Sequence, residues 1–172
     1  MVFEMLFVRQ AYSQVLAHEL KKIVRMLRAF PVERFDDRTL GCADSARELA
    51  VDFVHHVRRI DEIAHGRAAS PLRPGLRNRG EILLDLETAY LGAHAALITL
   101  PALRWGDVVA APAELWPCRQ ARRGELLWMA LRELIRHDRH FAMHMRGIVH
   151  GGGGTRREVA PVRVMDEIAI GA

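Results

Sequence analysis

Histidine and carboxylate side chains cluster in the segment ELLWMALRELIRHDRHFAMHMRG, which starts at Glu125. Glu133 and His137 are four residues apart in it, and so are His140 and His144. Residues four apart on a helix project side by side, as two metal ligands on one element must. The spacing therefore predicts a metal-ligand pair at Glu133 and His137. The second pair lies slightly further round the helix and is predicted to be at the surface or rim.

A third ligand is available in the segment SARELAVDFVHHV, residues 45–57. At about 100° per residue, His56 falls at the edge of the apolar face, and Asp52 lies one turn before it. Three protein ligands and one open position are the arrangement of catalytic zinc sites. His56, Glu133 and His137 would supply such a set, with Asp52 as the alternative ligand from the same helix.

Asp138 falls in the middle of the apolar stripe of its segment. A carboxylate in apolar surroundings is costly unless it is paired or coordinates an ion, so we expect a His, an Arg or a metal as its partner. Asp138 or His140 could orient a metal ligand by hydrogen bonding. The same residue types can equally form a salt-bridged core pair that only holds the helices together. The sequence leaves both interpretations open.

The elements that must position these residues are four segments with apolar residues three or four apart. Ser45 and Glu48 form an S-x-x-E capping box, and Gly66 is placed to end the same helix. The predicted helices run from about Val8 to Phe30, from Ser45 to Gly66, from roughly Glu81 to Leu100, and from near Arg122 to about Arg146 or Val149.

This order of elements, without a convincing strand pattern, predicts an all-α fold, a four-helix bundle over residues 1–150. The connections at 67–80 and 101–117 are long and rich in proline. They leave room for a helix order other than up-down-up-down. Residues 151–172 are predicted to be a Gly-rich turn and a C-terminal tail.

Composition narrows the class of protein further. Of the 172 residues, 50% are hydrophobic and 27% are charged, a balance typical of globular domains. No run reaches the roughly 18 to 20 apolar residues of a membrane span, and the opening MVFEMLFVRQ lacks the basic leader of a signal peptide. The net charge of +4 comes from scattered arginines, which does not favour nucleic-acid binding. Cys42 and Cys118 are expected to be reduced thiols in a cytoplasmic protein.

Two motifs give the chain a resemblance to a known family. The segment LRELIRHDRHFAMHMR, residues 131–146, resembles the last-helix motif of DinB/YfiT-like bundles. In that register Glu133 and His137 fall on the two metal-ligand positions of the family, and Arg146 on its terminal arginine. The segment SARELAVDFVHHV is similar to the S-x-x-E-L-x-x-H opening of helix two. The family's helix-two histidine aligns with Asp52, and its HHRGQ core is RHDRH in this chain.

The resemblance implies a fold and a choice of functions. It implies a DinB/YfiT-like four-helix bundle, often a homodimer, with a divalent metal such as zinc or nickel between helices two and four. Members act as hydrolases or as transferases that use a low-molecular-weight thiol, so a small-molecule substrate is expected and DNA binding is not. The departures from the motif support an alternative, a non-catalytic bundle with a degenerate metal site that acts as a binding or dimerisation module.

Overall fold

A computed structural model of the chain describes residues 2–38, 44–67, 78–112, 115 and 119–150, with side chains from residue 7 to residue 147. Within these ranges the chain forms four long helices. They are α1 (Val2–Ala29), α2 (Ala46–His65), α3 (Arg79–Thr99) and α4 (Arg123–His150). The predicted all-α class and the four helices are confirmed. The predicted tail at 151–172, Cys42 and Cys118 lie outside the described residues.

The helices form a bundle in which each helix has two neighbours. α2 packs against α3 and α4, and α1 packs against the same two helices. Consecutive helices α1 and α2 therefore lie on a diagonal, and so do α3 and α4. Fully buried side chains from all four helices meet in the centre, among them Leu16, Ile23, Phe53, Ile60, Leu86, Leu97, Leu131 and Phe141.

The capping residues predicted at the ends of α2 have the hydrogen bonds and backbone conformation that are expected of them. The amide of Glu48 donates to Ser45 Oγ at 3.2 Å, and the amide of Ser45 donates to Glu48 Oε2 at 2.6 Å. Gly66 ends α2 with a φ of 69°, the left-handed region that favours glycine. A second capping box, between Asn78 and Glu81, starts α3 at Arg79, slightly earlier than the apolar spacing predicts.

The connection between α3 and α4 contains strands that the sequence pattern does not predict. After a 3-10 helix, Ala102–Gly106, strand β1 (Val108–Ala110) pairs antiparallel with β2 (Gln120–Arg122). Each strand has three residues, which is too short to show the alternation by which a strand is predicted. The bundle thus carries a two-stranded sheet at the start of α4.

α3 is the most apolar of the helices. It has the length and composition of a membrane span, and a third of its most apolar window is buried in the bundle. The core helix of a soluble bundle meets the same criterion, so this single helix is weak support for a membrane protein.

Candidate functional site

His137 on α4 lies at the contact between α4 and α2. Its Nε2 is 3.0 Å from the backbone oxygen of Leu49. Because a carbonyl oxygen only accepts, Nε2 carries the hydrogen and donates it. In the neutral ring the lone pair is then on Nδ1. The α2 backbone therefore sets both the orientation and the tautomer of His137.

His56 on α2 faces this ring. The centroids of the two imidazoles are 5.0 Å apart, with 50° between the ring planes. Burial, together with the neighbouring His137 and Arg59, lowers the pKa of His56 from 6.5 to about 4. His56 is therefore neutral at pH 7 and can ligate a metal or accept a hydrogen bond.

Asp52 and Phe53 complete the α2 side of this cluster. The Phe53 ring meets the His137 ring edge to face, with 4.9 Å between the centroids. Burial raises the pKa of the Asp52 carboxyl, while His137 acts in the opposite direction. We call Asp52, His56 and His137 the α2–α4 polar cluster. Of the predicted site residues, these three are brought together across the two helices.

The other predicted site residues of α4 near this cluster, Glu133, His140 and His144, are not part of it. Glu133 Oε2 accepts from Arg136 at 2.6 Å, an ion pair within α4. The His140 ring lies 6.2 Å from the His137 ring and is exposed, as predicted for a rim residue. The prediction for His144 is wrong, because its side chain is only 3% exposed. The buried face of α4 is therefore wider than its apolar stripe indicates.

Asp138 belongs to the contact between α4 and α1. Its Oδ2 lies 2.5 Å from Lys22 Nζ, and the residue is 2% exposed. The same ammonium group lies 3.1 Å from Glu19 Oε2. The expected partner of Asp138 was a His, an Arg or a metal, and the observed partner is a lysine. Lys22 and Glu19 are an i, i+3 pair on α1 that resembles any surface pair, so no sequence signal connects them to α4.

The potential metal ligands that the structure describes do not form a ready-made metal site. Among the residues whose placement is described, no three His, Cys, Asp or Glu side chains group so as to hold an ion. Glu133 and His137 have the predicted helical spacing, yet each already has a protein partner. The predicted ligand set of His56, Glu133 and His137, with Asp52 as its alternative, stays a prediction.

Comparisons with known proteins give no independent assignment. No protein-family model matches the chain, and no curated protein matches it significantly. The resemblance to DinB/YfiT-like bundles accordingly depends on its two motifs and stays a prediction.

Proposed function

We propose that this chain is a non-catalytic helical bundle that acts as a binding or dimerisation module. One observation carries the proposal: the polar groups of α4 that could hold or orient a metal are each engaged by another protein group. His137 donates to the Leu49 carbonyl, Glu133 pairs with Arg136, and Asp138 pairs with Lys22. Two of these contacts connect α4 to other helices, His137 to α2 and Asp138 to α1, and the third pairs Glu133 within α4.

Ion pairs of the α4 carboxylates support the same interpretation. A metal bound through Glu133 would compete with the Arg136 guanidinium, which lies 2.6 Å from Oε2 of that carboxylate. The ammonium of Lys22 pairs with Asp138 and is shared with Glu19. Two of the carboxylates that would attract a divalent cation, Glu133 and Asp138, are thus each paired with a cation of the chain itself.

A metal-dependent hydrolase or thiol-dependent transferase is the second candidate. The observation that favours it is the facing pair His56 and His137, since neutral imidazoles are common ligands of zinc and nickel. Histidines that ligate metals usually donate their other ring N–H to a carbonyl or carboxylate, as His137 does to Leu49. Asp52 would then be the oxygen ligand from α2.

Metal analysis distinguishes the two candidates. Tag-free protein and its Glu133→Ala/His137→Ala variant are equilibrated with excess ZnCl₂ or NiCl₂, desalted, and measured for metal per chain and for thermal unfolding. We expect far less than one metal per chain in both proteins, and no rise of Tm with either ion. A ligand present at 100 times its Kd would stabilise the fold by about 2.7 kcal/mol, so specific binding could not escape detection.

His65→Ala is the matched control. His65 is an exposed histidine on the same helix as His56, nine residues or about 13.5 Å further along the axis. Near-stoichiometric metal in the wild type and in His65→Ala, with loss in the double variant, would overturn the proposal and establish the second candidate.

A further inference from the structure

The four helices divide the charge of the bundle between two sides. α1 has five lysine or arginine residues against two glutamates, and α4 has five arginines against three acidic residues, so these two helices together have a net charge of +5. α2 has three arginines against four acidic residues, and α3 has one against three, which gives this pair −3. Because α1 packs against α4 and α2 packs against α3, one side of the bundle is basic and the other is acidic.

The two basic helices run parallel and in register. The ring of Tyr12 contacts that of Trp128, with 5.9 Å between the centroids, and Lys22 pairs with Asp138 ten residues further along both helices. Both contacts join residues that are 116 positions apart, so each residue of α1 lies level with the residue 116 positions later in α4. Side chains on the adjoining outward edges of α1 and α4 therefore form one surface.

This surface carries a row of arginines that begins at an aromatic side chain. Trp128, which meets α1, is one turn before Arg132, and Arg139 and Arg146 follow at intervals of seven residues, or about 10.5 Å. On α1, Arg25 is one turn after Lys22, the residue that meets α4, and Lys21 lies beside it. We call the following six exposed residues the α1–α4 basic face: Lys21, Arg25, Trp128, Arg132, Arg139 and Arg146. Within the described residues, its five cations have no hydrogen bond or ion pair.

The carboxylates of the two helices do not neutralise this face. Glu19 and Asp138 are 5% and 2% exposed, and they share the ammonium group of Lys22. Glu133 pairs with Arg136. A further carboxylate, Glu125, accepts from a backbone amide in the first turn of α4. The acidic residues that accompany the arginines in the sequence are thus buried or already bonded, which leaves the outward cations uncompensated.

We propose that the α1–α4 basic face binds single-stranded nucleic acid, with its cations on the phosphates and a base stacked on Trp128. The inference rests on the proposed function, a binding module, and names the partner of that module. Guanidinium groups match phosphate oxygens in pairs, and cations without a protein partner are free to replace the counterions of a phosphate backbone.

The position of Trp128 favours a single strand over a duplex. Its side chain is 47% exposed and lies in the same row as the three arginines. Proteins that bind single strands combine a row of cations, which follows the backbone, with aromatic side chains on which bases stack. The bases of a duplex are stacked on each other and cannot make this contact.

The distribution of apolar side chains favours nucleic acid over a lipid surface. A helix that lies on a membrane inserts an apolar face and keeps its basic residues at the headgroups beside it. The row of exposed apolar residues in this bundle, Leu84, Leu91 and Ile98, is on α3, diagonally across from α4. A bilayer that contacts the α1–α4 basic face would therefore meet mainly charged groups and would not reach this apolar row.

The first test is the fluorescence anisotropy of a labelled oligothymidylate of about 20 nucleotides, titrated with the full chain. We expect saturable binding at about 50 mM NaCl. The logarithm of the association constant should fall linearly with the logarithm of the salt concentration, with a slope of about −2 to −3.5 for three to five phosphate contacts. No binding at this salt concentration would overturn the proposal.

Charge reversal locates the binding surface. Arg132→Glu/Arg139→Glu should weaken binding about 100-fold or more and make the salt slope less steep by about one. The matched control is Arg58→Glu/Arg67→Glu, which changes the net charge equally on the α2 side and should bind within about threefold of the wild type. Arg132→Lys/Arg139→Lys keeps the charge and should keep most of the affinity. With all variants shown to be folded by thermal unfolding, equal weakening by the two charge reversals would overturn the proposal.

Substitution of Trp128 tests the stacking contact. Trp128→Leu should weaken binding of the single strand about tenfold and leave the salt slope unchanged, because stacking involves no counterions. Trp128→Phe keeps an aromatic ring and should retain most of the affinity. A duplex that binds as tightly as the single strand, with no effect of Trp128→Leu, would overturn the single-strand assignment.

Further outcomes separate this inference from the proposed function. Wild-type protein that cosediments with phosphatidylserine vesicles and does not bind the oligonucleotide would overturn the inference in favour of a lipid surface. Protein that binds neither the oligonucleotide nor a metal would overturn the inference and leave the non-catalytic assignment intact. Protein that binds the oligonucleotide and one metal per chain would overturn the non-catalytic assignment and leave the inference intact.

Discussion

The ammonium group of Lys22 lies 2.5 Å from Oδ2 of Asp138, so an ion pair joins α1 to α4 inside the bundle. Burial acts to lower the pKa of Lys22, but hydrogen bonds to Asp138 and Glu19 outweigh it and the pKa is raised. The lysine therefore stays charged. The Lys22 side chain is 41% exposed, whereas that of Asp138 is 2% exposed.

We expect Lys22→Met to destabilise the fold by about 2 kcal/mol, because it leaves the buried carboxylates of Asp138 and Glu19 without their shared cation. The value is below that of a fully buried pair, since Lys22 is partly screened by water. Urea denaturation measures it, with Lys21→Met as the control at an exposed neighbouring position. Adding Asp138→Leu to Lys22→Met should recover part of the loss, because Glu19 still lacks its cation. Equal effects of Lys21→Met and Lys22→Met would show that the pair contributes nothing.

The α2–α4 polar cluster predicts a loss of stability in mild acid. The pKa of His56 is about 4 in the folded chain and 6.5 when it is unperturbed. Between these values the unfolded chain binds the proton more readily, so the free energy of unfolding falls as the pH drops from 6.5 towards 4. His56 can contribute up to about 3 kcal/mol to this loss.

The lowered pKa of His144 also makes the free energy of unfolding fall as the pH drops. The raised pKa of Asp52 has the opposite effect on the free energy of unfolding, at the lowest pH values of this range. His56→Leu should remove the contribution of His56, so the free energy of unfolding should change less between pH 6.5 and 4. Chemical denaturation of wild type and variant across this range measures it. Parallel profiles for the two proteins would contradict the assignment.

Substitution of Gly66 is predicted to destabilise the fold. Its φ of 69° is costly for any residue with a Cβ, and that atom would lie 3.3 Å from the Arg123 side chain. Gly66→Ala should lower the free energy of unfolding by about 1 to 2 kcal/mol. Gly106→Ala, where an added Cβ meets no described atom within 4 Å, should change it far less. Similar losses at both glycines would argue against conformational strain at Gly66.

The capping box of α2 gives a prediction at the helix start. Ser45→Ala removes the acceptor of the Glu48 amide and should cost about 1 kcal/mol. Ser45→Thr keeps the hydroxyl and should cost a few tenths. Thermal unfolding of both variants measures the difference. No difference between alanine and threonine would mean that the hydroxyl does not stabilise α2.

Sequence alone determined the features that depend on neighbouring residues. The four helices, the Ser45–Glu48 box and the glycine stop at Gly66 follow from spacings of a few residues, because helix formation and capping are local. The edge position of His56 follows from the same periodicity. Its approach to His137 required that α2 and α4 be neighbours, which periodicity within one helix does not specify.

The tertiary structure decided which groups meet. Lys22 lies 116 residues before Asp138, and the Leu49 carbonyl that receives the His137 proton is a backbone atom with no side-chain signal. The pairing of β1 with β2 joins three-residue segments that show no strand period. α3 is apolar around much of its circumference, and only the packed bundle shows that Leu84, Leu91 and Ile98 stay exposed. Contacts between distant segments depend on how the whole core is packed, and a periodic pattern carries information only along its own helix.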